Sequence, residues 1–540
     1  MNAFQALDWI VVGAYFLVVM GIAWWGMRQR QDTSTDYFLA GRHIGWFIVG
    51  ASIFASNIGA EHIVGLAGTA AKTGVAMGMY ELHSWLVLVL GWVFIPFYMR
   101  SRVFTMPEFL EKRYSPTARW FLSLVALISY VLTKVAVNVY AGAVVFQVLM
   151  GIDFWTGALI VVLLTGIYTV VGGLRAVVYT EAMQAVVLLL GAALVTVAGL
   201  IKIGGWGKLV SIAGSSHLNL FLPLNHPEFP WLGMVLAPPI VGLWYWCTDQ
   251  YIVQRALAAR NETQARRGSI FASYLKLSPF FIFVLPGVMA FALAQSGQIQ
   301  LDRADMAFPV MVRALLPIGL RGLVVGGLLA ALMSSLAGVF NSCSTIFTMD
   351  IYKKLRPQSS EKTLVRVGRL ATGVVVLTGV LWIPLMKNIS GELYHYLQSV
   401  QSYLGPPIAA VFLLGVFWKR INSKGAVAAL VGGFVLGILR LVAELNKGSL
   451  SGWLHQFATV SFLYFCVALF LVCIAVMVAV SLLTRAPAVE EIQGLTYATT
   501  VAADKASSRA SWNRLDVGLS VIVVAVILFV ILYFSPLFQR

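Results

Sequence analysis

Charge is scarce in this chain. Asp, Glu, Lys and Arg make up only 11% of its 540 residues, while 59% are hydrophobic. Soluble domains carry about 25% charge. So few charges cannot solvate the surface of a soluble fold of this length, which excludes a cytosolic enzyme and a disordered chain. Cysteine is scarce too. Cys247, Cys343, Cys466 and Cys473 all lie in or beside apolar runs, so no disulfide scaffold is expected. Catalytic signatures are missing: there is no Walker A motif, no zinc-spaced Cys/His set and no nucleophile elbow. The longest connections, 202–230 and 485–514, are about 30 residues each, too short for a kinase, nuclease or nucleotide-binding domain.

What the sequence has instead is apolar runs. Fourteen stretches stand near 8–27, 44–70, 75–98, 120–150, 155–172, 176–201, 231–252, 269–296, 319–350, 364–386, 391–417, 424–445, 457–484 and 515–535. Runs of roughly 20 apolar residues are helical spans rather than barrel strands. An all-α polytopic membrane protein of about fourteen transmembrane helices is therefore expected, with the lipid bilayer as a partner. The first run is not read as a cleaved signal peptide, because Arg28 and Arg30 follow it instead of preceding it.

The net charge of +16 is not a nucleic-acid signal here, since basic residues of polytopic proteins concentrate in cytoplasmic loops. If the N-terminus lies outside, 26 of the 38 Lys and Arg fall on inner connections and 9 on outer segments. That asymmetry places both termini on the extracytoplasmic side of the cell's plasma membrane. The connection 485–514, rich in Ala, Ser and Thr, reads as a flexible inner linker.

Two spans are interrupted. Span two contains Ser56, Asn57, Gly59, Glu61 and His62 in mid-membrane, and unwound backbone survives there only beside a protein-lined cavity. Span seven contains Pro238, Pro239 and Gly242. Each proline removes a donor and clashes with the preceding turn. Setting the first span aside, these are the first and sixth helices, the positions at which inverted-repeat transporters carry discontinuous helices around their site. The competing reading is a pair of kinks in ordinary packed helices. Ser334 and Ser335 in span nine offer hydroxyls to a hard cation, although serine pairs also serve close helix packing.

Ionisable groups inside the membrane are candidates by default: Glu61, His62, Glu81, His83, Glu181, Lys276 and Glu444. Glu444 is expected to pair with Arg440 one turn away. Glu181 reads as an interfacial acid, Asp249 as a helix cap or partner of Arg255, and Lys134 as buried in helix packing.

Several strings are longer than chance allows: Phe54-Ala-Ser-Asn-Ile-Gly59, His62-Ile-Val-Gly-Leu-Ala-Gly68, Leu243-Trp-Tyr-Trp-Cys-Thr-Asp-Gln250, Val253-Gln-Arg255, Phe347-Thr-Met-Asp-Ile-Tyr352 and Ser402-Tyr-Leu-Gly-Pro-Pro-Ile-Ala-Ala-Val-Phe412. Through them the chain resembles the sodium/solute symporter family, and within it the animal sodium/glucose cotransporters more than the bacterial sodium/galactose symporter. The resemblance runs from about residue 8 to 484. It implies the LeuT-like five-plus-five inverted repeat with extra helices. The repeats would be 44–203 and 231–420. Around them would lie a first helix and loop (1–43), an outer loop (204–230), two added helices (421–484), the inner linker (485–514) and a last helix (515–540).

The same resemblance implies site residues. Sodium would bind the carbonyls of Ala55, Ile58 and Ala331 and the hydroxyls of Ser334 and Ser335. Sugar would bind Asn57, His62, Glu81, Ser84, Lys276 and Gln398, with Tyr245 as inner gate, Trp246 beside it, and Leu66 and Tyr394 closing above. Gly242 replaces a residue that touches sugar in relatives. A second sodium site of some animal members would fall near Glu181, but Ala337 and Gly338 lack its hydroxyls, so one sodium per sugar is expected. The expected function is sodium-driven hexose uptake by alternating access, without enzymatic activity. A myo-inositol or other polyol carrier, a sialic acid carrier, and a sodium-dependent sugar sensor without net transport are the rivals, and a membrane enzyme is a distant one. The oligomeric state is not legible.

Overall fold

The computed structural model describes residues 4–29, 31–59, 61–135, 137–139, 142, 146–386 and 393–537, without the side chains at 61, 132, 148, 149, 382–386 and 393–396. Among these residues it is all-helical, with a single isolated bridge between Ile44 and Ala259.

The principal helices are α1 (Ala6–Met27), α2 (Trp46–Asn57), α3 (Ala67–Thr73), α4 (Met106–Arg113), α5 (Pro116–Ser129), α6 (Phe154–Ile203), α7 (Trp231–Cys247), α8 (Gln250–Leu257), α9 (Glu262–Pro279), α10 (Leu320–Ile346), α11 (Glu361–Met386), α12 (Leu393–Phe417), α13 (Ser423–Leu445), α14 (Phe462–Leu483), α15 (Ala502–Ala510) and α16 (Arg514–Tyr533). Among the described residues, eleven helical stretches are long and apolar enough to cross a membrane, or twelve if the bent pair α7–α8 counts as one span. The expected fourteen is thus not reached by length and hydropathy alone. Two of the missing spans are explained by merging and shortness. The 50-residue α6 is about 75 Å long at 1.5 Å per residue, over twice a hydrocarbon core. It turns at Gly173 (φ 56°, ψ −161°), where a side chain would meet the Tyr37 carbonyl at 2.7 Å. The 12-residue α2 is one arm of an interrupted helix.

Burial sorts core from periphery. In the most apolar window of the span 320–355, 94% of residues are buried, against 22% in 514–533 and 28% in 6–27 and 462–483. α10 is therefore the central helix, packed on α6 and α2, while α1, α14 and α16 present apolar faces outward to lipid.

The first interruption falls where the sequence places it. α2 stops at Asn57, Ile58 is extended (φ −83°, ψ 105°), and a π-helical turn Glu61–Leu66 resumes the chain before α3. The second does not. α7 runs unbroken through Pro238 and Pro239, and the break lies beyond Cys247, with a 46° bend into α8. Asp249 makes this break, accepting from the Tyr251 N–H at 3.2 Å as an N-cap.

Residues 485–514, read as a flexible linker, carry ordered structure. Tyr497 packs edge-on against Phe97 and stacks on Phe417. Arg100 pairs with Asp504 on α15 at 3.6 Å, and Glu262 accepts from Ser508 and Ser511 at 2.7 and 3.0 Å.

Candidate functional site

The carbonyls released at the end of α2 meet the serine pair of α10. An α-helix leaves its last four carbonyls without intrahelical donors, and here two hydroxyls face them. Ser334 Oγ lies 3.0 Å from the carbonyls of Ala55 and Ala331. Ser335 Oγ lies 3.2 Å from the Ile58 carbonyl and 3.3 Å from that of Ser56. All five expected sodium-site residues are buried, Ala55 and Ala331 meeting at Ser334 and Ile58 at Ser335. The oxygens are neutral, and no group of three or more His, Cys, Asp or Glu that could hold a metal occurs among the described residues. Such a donor set suits a hard monovalent cation rather than a transition metal.

Asn57 belongs to the same interruption, yet its side chain faces the other way, into a polar cavity. Its Oδ1 accepts from Lys276 Nζ on α9 at 2.7 Å, and its Nδ2 donates to the Tyr245 hydroxyl on α7 at 3.3 Å. Lys276 Nζ also reaches Glu81 Oε2 at 2.5 Å, and His62 Nε2 lies 3.5 Å from Glu81 Oε1. The cavity measures about 60 Å³, and Asn57, His62, Glu81, Tyr245, Trp246, Lys276 and Gln398 all line it. Gln398 Oε1 is buried without a hydrogen-bond partner. Trp246 packs edge-on against Tyr245 at 5.1 Å, and the Lys276 ammonium lies 5.5 Å from the Trp246 ring. The wall therefore combines donors, acceptors and two aromatic faces.

Ser84 is not on that wall. The short helix carrying Glu81 ends at Leu82, and the turn at 83–84 brings His83 to the cavity instead. Ser84 is fully buried behind it, its carbonyl accepting from Ser273 Oγ at 2.9 Å. Leu66 is buried one turn beyond His62 and is not part of the lining. Tyr394 and Glu61 lie outside the described side chains. Sequence reasoning missed Tyr80, Leu86, Leu397 and Gln401 in the lining. Gln401 was detectable, standing three residues after Gln398 on the same helix face. At Gly242 a side chain would collide with Leu86, so Leu86 now fills the space a larger residue would take.

Two buried ion pairs flank the site. Glu181 is fully buried rather than interfacial. It takes Arg255 Nη2 at 2.6 Å and Nε at 3.3 Å, together with the Ser52 hydroxyl. Arg255 thus pairs with Glu181, not with Asp249. Asp249 pairs with Lys134 at 2.5 Å, and the Lys134 ammonium sits 4.8 Å from the Tyr245 ring and 4.1 Å from that of Tyr251. Glu444 pairs with Arg440 at 3.5 Å, as expected.

The family model for the sodium:solute symporter family matches residues 37–433. The chain belongs to the sodium:solute symporter family. This symporter is 38% identical over 525 residues to the sodium/glucose cotransporter 1 of Ovis aries, covering 89% of this chain and 79% of that protein. It is 40% identical over 533 residues to the sodium/myo-inositol cotransporter 2 of Oryctolagus cuniculus, covering 91% and 79%. Among solved structures, it superposes on the substrate-bound outward-open state of a Na⁺-coupled sialic acid symporter with a TM-score of 0.77 at 22% identity, covering 89% of this chain and 99% of that one. The inverted-repeat symporter fold follows, with sodium as the coupling ion of a multi-pass membrane transporter.

Proposed function

We propose that this symporter imports a hexose of the glucose or galactose type, one sodium ion per sugar, by alternating access. The carrying observation is the shared interruption after α2. Ala55 and Ile58 turn their carbonyls to Ser334 and Ser335, while Asn57 between them turns its amide to Lys276 and Tyr245. A cation held by the carbonyls fixes the backbone from which the sugar-facing amide projects, so the two cargoes are coupled through the four residues Ala55–Ile58.

The cavity chemistry supports a polyol. Hydroxyl groups both donate and accept, and Asn57, Glu81, Lys276 and Gln398 provide both functions. Tyr245 and Trp246 cover the apolar C–H faces of a ring. Among the described residues the lining has no arginine for a carboxylate, which disfavours a sialic acid. A volume near 60 Å³ is below the ~300 Å³ usual for ligand pockets, so entry requires the gate side chains to part. myo-Inositol fits the same groups and is the second reading, since the chain is as similar to a sodium/myo-inositol cotransporter as to a sodium/glucose cotransporter, 40% identical to each.

One sodium per sugar is supported by Arg255. Its guanidinium already neutralises Glu181 beside Gly338, the region in which relatives are expected to hold a second ion. At 100 mV a single charge supplies about 2.3 kcal/mol, roughly fiftyfold accumulation.

Proteoliposomes under an inward sodium gradient test this with labelled glucose, galactose and myo-inositol, potassium replacing sodium in the control. Sodium-dependent accumulation of a hexose, lost in Ser335→Ala, is the expected result. Accumulation of inositol alone changes the cargo. Sugar binding without flux of any polyol overturns transport and leaves a sensor. A charge-to-sugar ratio near two overturns the single-ion stoichiometry.

A further inference from the structure

Lys134 and Asp249 form a buried ion pair that lines neither the polar cavity nor the serine pair of α10, yet it is tied to both. Lys134 stands in the π-helical turn Tyr130–Val135 that follows α5. Asp249 stands at the break between α7 and α8, where it caps the first turn of α8. Lys134 Nζ lies 2.5 Å from one carboxylate oxygen, and the Tyr130 hydroxyl donates to the other. The ammonium also sits among aromatic faces, 4.1 Å from the ring of Tyr251, 4.7 Å from Tyr130 and 4.8 Å from Tyr245. All three lie within the reach at which a ring attracts a cation, and burial strengthens that attraction.

Two of these rings lead back to the interruption after α2. The Tyr245 hydroxyl accepts from Asn57 Nδ2 at 3.3 Å. The Tyr251 hydroxyl donates to the Ser56 carbonyl, the oxygen that also lies 3.3 Å from Ser335 Oγ. Neighbouring residues 56 and 57 thus reach one ammonium by separate routes, the first from the serine pair and the second from the cavity. The two rings pack against each other at 6.4 Å. The cation also stands between two cavities. Tyr245 lines the polar one, whereas Tyr130 and Asp249 line another of about 20 Å³ together with Trp244, Thr248 and Met106.

We infer that Lys134 is the positioning residue that ties ion occupancy to the gate. Held by Asp249, it keeps Tyr245 closed under the sugar for as long as sodium fixes the end of α2. The inference rests on the ion-site and gate roles proposed above. Tyr245 cannot leave the cavity wall without leaving the ammonium. Movement of Ser56 when sodium departs displaces Tyr251, which packs on the same cation. Without that cation the gate ring loses its tie to the α7–α8 bend, and sugar passes without sodium.

Proteoliposomes carrying the full-length protein test this with two readouts. The first is coupling: sodium-driven uptake of labelled glucose and labelled myo-inositol, set against their exchange with sodium absent. The second needs no sugar. It is the rate at which N-ethylmaleimide alkylates Cys247, the buried last residue of α7, with and without sodium. In the wild type sodium should slow alkylation at least fivefold. Lys134→Met should remove that protection and raise sodium-free exchange, relative to driven uptake, at least fivefold. Lys134→Arg, which keeps the cation, should restore both. A scaffold role would lower the folded yield and both fluxes together, leaving their ratio unchanged. If Lys134→Met does not fold, Lys134→Met/Asp249→Asn removes both charges, keeps an N-cap and carries the same expectation. A wild-type flux ratio with intact sodium protection in either folded variant overturns the inference. Ser335→Ala, run alongside, tests the ion site alone: sodium protection retained there overturns that assignment, whatever Lys134 shows.

Discussion

The Lys276 ammonium stands 2.5 Å from the Glu81 carboxylate, both almost wholly buried, and Asn57 binds the same nitrogen at 2.7 Å. The pair joins α9 to the short helix Met79–Leu82 across the polar cavity. Removing one partner of a buried pair leaves an uncompensated charge and costs about 3–5 kcal/mol, whereas replacing both with apolar groups is often neutral. Lys276→Met should therefore lower the melting temperature and abolish uptake. Lys276→Met/Glu81→Leu should restore the melting temperature and leave uptake absent. Recovered uptake in the double variant would show the pair to be scaffold only.

Arg255 makes the second prediction. Its Nη2 occupies the space in which a side chain on Gly338 would stand, and the same nitrogen holds Glu181. Gly338→Ala forces the guanidinium away and disturbs a buried pair as well as the packing. Overpacking alone costs about 1–3 kcal/mol, so a loss at the upper end of that range is expected in thermal unfolding. Ala337→Gly, which adds nothing to this space, should not dislodge Arg255. A thermally neutral Gly338→Ala would mean that Arg255 has another place to go.

These two relationships mark how far the sequence could be read. The first interruption was legible because Asn57, Gly59 and His62 are costly in lipid and adjacent in the chain. The second was misplaced. Pro238 and Pro239 are the strongest local breakers, but α7 runs through them, and the quieter signal of Asp249 as an N-cap marks the actual break. Glu181 with Arg255, 74 positions apart, and Lys134 with Asp249, 115 apart, are tertiary pairings that no local periodicity reveals. Ser84 fails for a local reason, since a turn at 83–84 replaces the helix that would have aligned it with Glu81. The packing of 485–514 was hidden by a composition typical of linkers, with Tyr497 its main anchor.

Acid sensitivity follows from Glu111 on α4. Burial pushes its carboxyl up, but hydrogen bonds from Lys354 and Arg119 outweigh that and hold it below its ordinary value of 4.5. A carboxylate with a depressed folded value stabilises the fold fully above the unfolded value. That contribution is lost as pH falls below 4.5 through the folded value. Melting temperature measured from pH 6 to pH 3 should fall over this window, and Glu111→Gln should flatten part of the fall. An unchanged profile in Glu111→Gln would place the acid sensitivity elsewhere.

Gln398 tests the proposed sugar site apart from the proposed ion site. It lines the cavity with an unpartnered Oε1, yet it is not among the oxygens that meet at Ser334 and Ser335. Gln398→Glu keeps the side chain's size and its acceptors, removes the amide donor, and adds a second negative charge to a cavity already holding Glu81. A polyol bound there loses a donor and faces carboxylates that repel one another across a poorly solvated space. The half-saturation concentration for sugar should rise at least tenfold, while sodium binding measured without sugar stays within about twofold. The sugar defect should ease as pH falls and the new carboxylate takes a proton, because the protonated acid regains a donor. A parallel loss of sodium binding at all pH values would instead mean that residue 398 supports the interruption after α2 and not the cargo.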